Sequence, residues 1–458
     1  MCLRQGGWLG NRCHDCHQSG KAVGWREIIM SETKFTTAEI DAGKSPEQLF
    51  GERMKRFQDA LQLQQPDRVP SMLGFGYMLS EYGGITRQEQ QDNFEVSQNL
   101  LEKAALEFQP DAAFGVFGLG PGPSKALGDQ MTKWPGVGLG PDGSFQFAEQ
   151  EFMKAEDYDA FLHDPSDWAL RTYLPRAFSK LGGLANLPPF GMFAFGFYHT
   201  SNFAAYASPQ LLESMKAFNE AVQETLVAIG KMMESGGRMI GLGFAPPFFM
   251  GGALIEAPFD FMSDTLRGMR GIMLDMHRRP EQLLAAQEKV LRFQVEFAKN
   301  QAKATNTPYA FIPLHRGSDG FMSLPQFEKF YWPTLKRMML ELIDDGIMPG
   351  CFYEGVWDQR LEYLAELPKG KSFGWFQSSN IFKVKEVLGD TMCILGGMPN
   401  SMLQGGTVEQ VRDFTRRLCQ EVGKGGGYIM GTNIGELEGA NPILVKAWMD
   451  ATKEFGVY

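Results

Sequence analysis

Cysteine and histidine are both scarce: six of each in 458 residues. A disulfide scaffold needs a far higher cysteine density, so these thiols read as reduced and the chain as cytoplasmic. Long apolar runs are missing too. No stretch approaches the roughly 18 residues of a membrane span, so no membrane association is expected. Basic residues are in deficit, with 44 Lys and Arg against 54 Asp and Glu and a net charge of −10. A nucleic-acid binder normally carries a basic stripe, so none is expected here. Also absent are a Walker loop, a G-x-S-x-G elbow and an H-E-x-x-H helix, the marks of NTPases, many hydrolases and zincins. What the chain has in quantity is glycine (53), phenylalanine (36) and methionine (26), with 43% hydrophobic residues. That is a globular composition with many tight connections and an adaptable interior.

Three cysteines crowd into the first 16 residues, and Cys13-His14-Asp15-Cys16-His17 spells the C-x-x-C-H of covalent haem attachment. The preceding MCLRQGGWLGNR has no apolar core for export. Four ligands in five residues also wrap a single ion poorly. Residues 1–29 are therefore expected to be a non-structural extension whose removal leaves fold and activity intact, with ordinary globular text from Met30.

From Ser45 to about Leu63 the pattern is helical; DRVPSMLGFG then reads as a strand, Gln88 to Phe108 as a long helix and DAAFGVFGLG as a second strand. Residues 118–189 are rich in Gly, Pro and aromatics. They read as an insertion, with a hairpin turn at Pro141-Asp142-Gly143, lying over the site as a lid. Its GLGPGP lacks the Lys-Ser/Thr of a phosphate loop, and no helix is expected right after it. The C-terminal half is the most regular. YAFIPLHR, IMPGCFYEG, KSFGWFQSS, TMCILGG and GGYIMGT each precede a helical segment. Five short apolar strands alternating with helices mean parallel strands buried on both faces. Earlier strands after Arg68, after Pro110 and around Arg238–Phe244 bring the count to eight, which predicts an α/β fold of the (β/α)8 TIM-barrel type. A doubly wound open sheet is the runner-up, weakened by the lack of G-x-G-x-x-G at any strand end.

Barrel chemistry sits at the C-terminal strand ends. Those ends offer His315, Arg316 and Asp319, then Tyr353 and Glu354, then Gln377 and Asn380, and finally Asn433. Such a ring of polar groups can move protons, hold a carboxylate or bind a metal. Of the other histidines, His163 lies in a turn, His277 at a helix end, and His199 is expected to be a packed residue.

GFMSLPQFEKFYWPTLKRM, GIMPGCFYEG, CILGGMPNSML, NPILVKAWMDATKEFGVY and APFDFMSDTLRGMRGIMLDMHRRPEQL together resemble the uroporphyrinogen decarboxylase superfamily, over nearly all of Ser45–Tyr458. The resemblance implies the same barrel fold and one of two activities. One branch decarboxylates uroporphyrinogen without a cofactor; the other comprises cobalamin-dependent methyltransferases. The decarboxylases resemble R-Q-A-G-R-Y-x-P-E-Y after the first strand, where arginines hold the substrate carboxylates. Here Leu73 and Tyr77 occupy both arginine positions, and apolar groups cannot bind carboxylates bidentately. The family's aspartate at the end of the second strand is missing, since Asp111 opens that strand. Its late histidine is also missing, since the last strand reads Gly431-Thr432-Asn433.

Thiol-activating methyltransferases of the family bind zinc through His-x-Cys and a later Cys. In this sequence the first motif falls on Phe352-Tyr353-Glu354, which leaves Glu354 as the one remaining metal ligand; Cys351 points to the opposite side of its strand. A mouth rich in Met and Phe (Met192, Phe193, Phe195, Phe197, Phe248, Phe249, Met250) suits an apolar or aromatic small-molecule substrate.

The resemblance and the residues together lead to a corrinoid-dependent methyltransferase or demethylase, with methylcobalamin carried on a partner corrinoid protein. Glu354, His315 and Asp319 are its expected catalytic residues, and Arg316, Tyr353, Gln377, Asn380, Asn433 and Tyr77 its expected substrate contacts. Zinc on Glu354 and a homodimer are further expectations. Uroporphyrinogen decarboxylase itself and a non-catalytic binding barrel remain the alternatives.

Overall fold

The computed structural model describes residues 41, 43–115, 120–191 and 199–458. The N-terminal cysteine cluster and the run Met192, Phe193, Phe195 and Phe197 lie outside the described residues.

Eight of the strands among the described residues make up the barrel, in chain order: β1 (Met72–Gly74), β2 (Ala112–Phe114), β3 (Ala253–Leu254), β4 (Tyr309–Leu314), β5 (Met348–Tyr353), β6 (Phe373–Phe376), β7 (Cys393–Met398) and β8 (Tyr428–Thr432). β3 to β8 form one sheet in sequence order, and β1 pairs with β2, all in parallel. A bridge between Ser71 and Met430 joins β8 back to β1, and one between Ala112 and Ala245 ties β2 to the chain just ahead of β3. This is a (β/α)8 barrel, as the sequence predicts.

Side-chain alternation sorts each strand into two faces. Met72, Phe114, Phe373, Trp375, Cys393, Leu395 and Ile429 share the barrel interior with Tyr309, Phe311, Met348 and Phe352. Ile312, Leu314, Cys351, Tyr353, Phe376, Ile394 and Met430 belong to the second cluster, between strands and helices.

The third strand is displaced from its expected place. Arg238–Phe244 reads as a strand, yet Arg238 to Gly241 close a 33-residue helix that begins at Pro209. The apolar text is the same for both, but Arg238 is drawn to the helix Phe94–Phe108, bonding Glu102 at 2.6 Å, Asn99 at 2.9 Å and Glu95 at 3.0 Å. Tertiary anchoring overrides the local pattern, and the barrel strand forms later, at 253–254. The expected helix from Gln88 is split at Asn93, whose side chain caps the second piece by accepting from Val96 N. A six-residue helix, Gly122–Leu127, does open within the GLGPGP stretch. In the insertion, Thr132–Pro135 pairs antiparallel with Gln146–Phe147, and the Gly143 N–H donates to the Gly140 carbonyl across the Pro141-Asp142 turn.

At the N-terminal pole of the barrel, Asp111 is fully buried and accepts from Arg68 through both guanidinium nitrogens at 2.7 Å, from Arg56 at 3.0 Å and from Ser71 N at 2.8 Å. Arg53 stands 3.9 Å away. The helix Pro46–Leu61, started by a Ser45 capping box, supplies two of these arginines and so locks the N-terminal helix under the barrel.

Candidate active site

Interior parity extended one step past each strand predicts which side chains enter the mouth. On β4 it is His315, on β5 Glu354, on β6 Gln377 and on β8 Asn433. The structure brings His315 and Glu354 together: His315 Nε2 lies 3.4 Å from Glu354 Oε1. Both remain partly open, with side-chain exposures of 29% and 37%. The other ring nitrogen, Nδ1, is bound by Asp264.

Asp264 comes from a segment that strand-end reasoning overlooks. After β3 the chain enters a helix at Pro258, which widens into a π-helical turn over Phe261–Arg267. Such turns recur at functional sites because they re-aim side chains. This one aims Asp264 at His315 and Arg316: Arg316 Nε donates to Asp264 at 2.9 Å and to Ser263 Oγ at 3.1 Å. Asp260, fully buried, holds the backbone of the same pair, accepting the His315 and Arg316 N–H groups at 3.0 Å each and the Tyr331 hydroxyl at 2.6 Å. Glu256 lies between the outward-packed Ile255 and Ala257, so it faces inward, and Thr265 donates to it at 3.3 Å. Glu149, from the insertion, reaches Arg316 as well. The segment 120–189 thus contributes one carboxylate to the cluster. The signal for these acids was in the sequence: APFDFMSD carries both Asp260 and Asp264, at helical spacing from each other.

Five carboxylates thus surround one imidazole and one guanidinium. Burial works against charge on His315, but its bonds to Asp264 and Glu354 prevail and push it up to about 11, so it is an imidazolium at neutral pH. Burial, reinforced by the charges of Asp264 and Asp260, pushes the Glu256 carboxyl up to about 7. Burial and the Asp264 charge also raise Asp260, against three donors that favour its ionised form. The arrangement offers proton donors of two kinds at a partly open mouth.

Several sequence candidates lie elsewhere. Asp319 is bound to Arg360 at 2.6 Å and accepts from Gln359 N at 3.1 Å, so it ties a loop rather than facing the mouth. Tyr353 has the opposite parity to Glu354; it is fully buried among the helices and stacked on Phe376 at 4.5 Å. Asn380 caps a helix. Arg316 is neutralised by Asp264 and Glu149, which leaves it a positioning residue. Gln377 accepts from Gly355 N at 2.7 Å, and Asn433 donates to the Gln377 carbonyl at 2.9 Å while accepting from Asn400 N at 2.9 Å. These two amides brace the mouth. Tyr77 is buried under the guanidinium of Arg87 and, with Phe114 and Met250, lines a neighbouring cavity of about 600 Å³. His315 and Glu354 are not among the residues lining that cavity. The cluster, with its perturbed titratable groups, is the stronger candidate for chemistry.

Thiolate-bound zinc does not fit these residues. Cys351 packs behind β5 against Met339, Cys393 opens β7 inside the barrel, and Cys419 lies in the outer layer. Among the described residues no three His, Cys, Asp or Glu side chains converge as ligands. Glu354 faces His315 instead of a metal set.

Residues 250–455 match the family model for uroporphyrinogen decarboxylase (URO-D). This C-terminal segment is similar to the uroporphyrinogen decarboxylase family. The matched segment opens just before β3 and ends in the last helix, so it contains the whole cluster except Glu149. Among solved structures, a methyltransferase from Methanosarcina mazei is similar over 88% of this chain and 98% of its own, with a TM-score of 0.55 and 15% identity. No curated protein matches by sequence. At that identity the likeness speaks for the fold. Among the described residues, no helix of this protein is long and apolar enough to cross a membrane.

Proposed function

We propose that this protein is a member of the URO-D superfamily and an enzyme of the cytoplasm that transfers a methyl group to or from a small apolar or aromatic molecule, at a hydroxyl or methoxyl oxygen. A partner protein carrying a corrinoid would serve as the other methyl carrier. The observation that carries this reading is the sign of the charge at the mouth. Glu149, Glu256, Asp260, Asp264 and Glu354 outnumber His315 and Arg316, and the Arg316 charge is spent within the cluster. A substrate with several carboxylates would be repelled there. Leu73 is buried, and Tyr77 offers no cation in place of the decarboxylase arginines.

Methyl transfer at oxygen needs the opposite: a proton delivered to the oxygen as its bond to carbon breaks, or removed as that bond forms. His315 Nε2 and the Glu256 carboxyl hold such protons. Glu354 fixes the imidazolium from its open side, and Asp264 from its buried side. A corrinoid, when bound, supplies the centre that carries the methyl group. The exposure of His315 and Glu354 at the mouth suits delivery from another protein. The fold-level neighbour from Methanosarcina mazei is named a methyltransferase, which agrees.

The experiment is methyl transfer from methylcobalamin to a panel of hydroxylated aromatic acceptors, with uroporphyrinogen as a control. Wild type should methylate at least one acceptor and form no coproporphyrinogen. Glu354→Gln should lose about 10²-fold in rate or more, with its melting temperature kept. Turnover of uroporphyrinogen would overturn the reading, and an unimpaired Glu354→Gln would remove that residue from the mechanism.

A further inference from the structure

The helix Pro209–Gly241 is held at two places and spans a space between them. Near its start, Ser214 donates to the Lys180 carbonyl at 2.9 Å and accepts from Gly183 N at 3.0 Å. Near its end, Arg238 is bound to the helix Phe94–Phe108, and Met239 is buried. Residues seven apart share a helix face, so Ala228 and Ser235 continue the face of buried Ala221. Large apolar residues would close that face against the barrel, as packed interiors do. These two are small, and both line the cavity of about 600 Å³ beside Tyr77. On its barrel side the cavity meets a seam. Beyond the Ala112–Ala245 bridge the chain continues as Pro246-Pro247, which cannot donate to a ladder. Both prolines and Phe114 of β2 line the cavity there.

We infer that this cavity is a binding site for a small neutral aromatic molecule bearing a hydroxyl group. Its volume falls within the range of small-molecule sites, about 300–1,000 Å³. Four aromatic side chains from separate elements wall it: Tyr77 after β1, Phe94 at the start of its helix, Phe114 of β2 and Trp134 of the insertion. Rings give a flat apolar ligand stacked and edge-on contacts. Two buried polar groups supply the rest. Gln90 is 2% exposed; its Nε2 donates to the Gly76 carbonyl at 2.9 Å, which fixes the amide, and its Oε1 has no hydrogen-bond partner among the described residues. Tyr77 is 3% exposed, and its hydroxyl has no partner of hydrogen-bond geometry there either, although the Phe145 N–H faces its oxygen. Leaving such groups unpaired costs folding free energy. Gln90 Oε1 can only accept, and the Tyr77 hydroxyl has a proton to donate. A hydroxyl group answers both, whereas an ether or a carboxylate has no proton to give. Around the cavity the exposed Asp92, Glu220 and Glu224 balance the exposed Lys125, Lys180 and Lys231, so no surplus charge selects an ion. The cavity shares no residue with the His315 cluster, so this inference stands without the methyl-transfer reading above.

Calorimetric titration of the full chain with 2-naphthol, and with naphthalene as the hydroxyl-free control, provides the test. Wild type should bind one 2-naphthol per chain, and naphthalene about tenfold more weakly. Tyr77→Phe removes the hydroxyl alone and should weaken 2-naphthol by about tenfold. Ala228→Phe and Ser235→Phe each set a ring into the cavity and should weaken it by about 100-fold or more, with the melting temperature kept or raised. The two positions are independent, so a failure of one variant to fold leaves the other to decide. Glu354→Gln should bind as wild type does. A wild type that takes up no 2-naphthol would overturn the inference, and so would equal binding of naphthalene. Binding that survives both added rings, or is lost in Glu354→Gln, would place the ligand outside this cavity and overturn it as well. Failed methyl transfer with the expected binding pattern intact would count against the proposed reaction alone.

Discussion

Two clusters of buried charge sit at opposite poles of the same barrel, and they behave in opposite ways. At the N-terminal pole, Arg53, Arg56 and Arg68 surround Asp111 in an excess of positive charge. Burial alone would raise the Asp111 carboxyl, but Arg68 and Arg56 overcome it and hold the group well below the usual carboxylate range. At the C-terminal pole the excess is negative. There the same kind of burial succeeds, and Glu256 rises to about 7. A cluster in which guanidinium groups outnumber the carboxylate holds it ionised at neutral pH, whereas one with surplus carboxylates keeps protons ready to move there. The first builds the fold and the second serves chemistry, in keeping with the two ends of this barrel type.

The largest effect that separates the two poles is expected from Asp111→Ala. It leaves three guanidinium groups facing one another without their shared partner. Breaking a buried ion network in this way costs about 3–5 kcal/mol. Urea denaturation should show the loss, with turnover per folded molecule unchanged. The wild-type contribution of Asp111 is fully present above the ordinary carboxyl range and disappears as pH falls below it, because its folded value is depressed. A change of stability below about 1 kcal/mol would erase the contrast between the poles.

The next effect belongs to the other pole. If Glu256 supplies the proton, activity should fall about tenfold per pH unit above about 7. Glu256→Gln should be slow and should lack that limb. Stability follows with the sign of a raised group: the folded chain holds the Glu256 proton more tightly, so its stability declines as pH rises from 4.5 towards 7. His315, raised from 6.5 to about 11, contributes fully below 6.5 and loses its contribution as pH climbs through that higher value. A pH–rate profile of wild type and Glu256→Gln decides the point; the same limb in both would place the proton elsewhere.

How much of this was legible in the sequence differs between the poles and between the strands. The regular strand–helix alternation after Tyr309 gave the barrel, and the strand ends it marked gave His315 and Glu354, because both depend on local periods. Glu256, Asp260 and Asp264 escaped strand-end reading because β3 is only two residues long and the mislaid strand at Arg238–Phe244 hid it. Asp264 also reaches the mouth from a π-helical turn rather than from a strand end. Asp111 was visible only as a residue that opens a strand. Its three arginines come from 43 to 58 residues earlier in sequence, and nothing local announces such a contact.

The smallest effect concerns a residue that sequence reasoning placed at the mouth and the structure places at a helix end. Asn380 precedes the helix Ile381–Leu388, and its side-chain oxygen accepts from Phe382 N at 3.1 Å and Lys383 N at 3.4 Å. Both donors belong to the first turn, where no carbonyl of the helix can reach them. With its acceptor committed there, Asn380 has no carbonyl oxygen left for a substrate. Asn380→Ala should cost about 1 kcal/mol of stability, the usual loss for an N-cap. Asn380→Asp keeps an acceptor, adds a charge that the helix dipole favours, and should leave stability unchanged or slightly raised. Neither variant should alter KM or kcat. A rise in KM in Asn380→Ala with stability intact would return the residue to the substrate and enlarge the chemical pole beyond the His315 cluster.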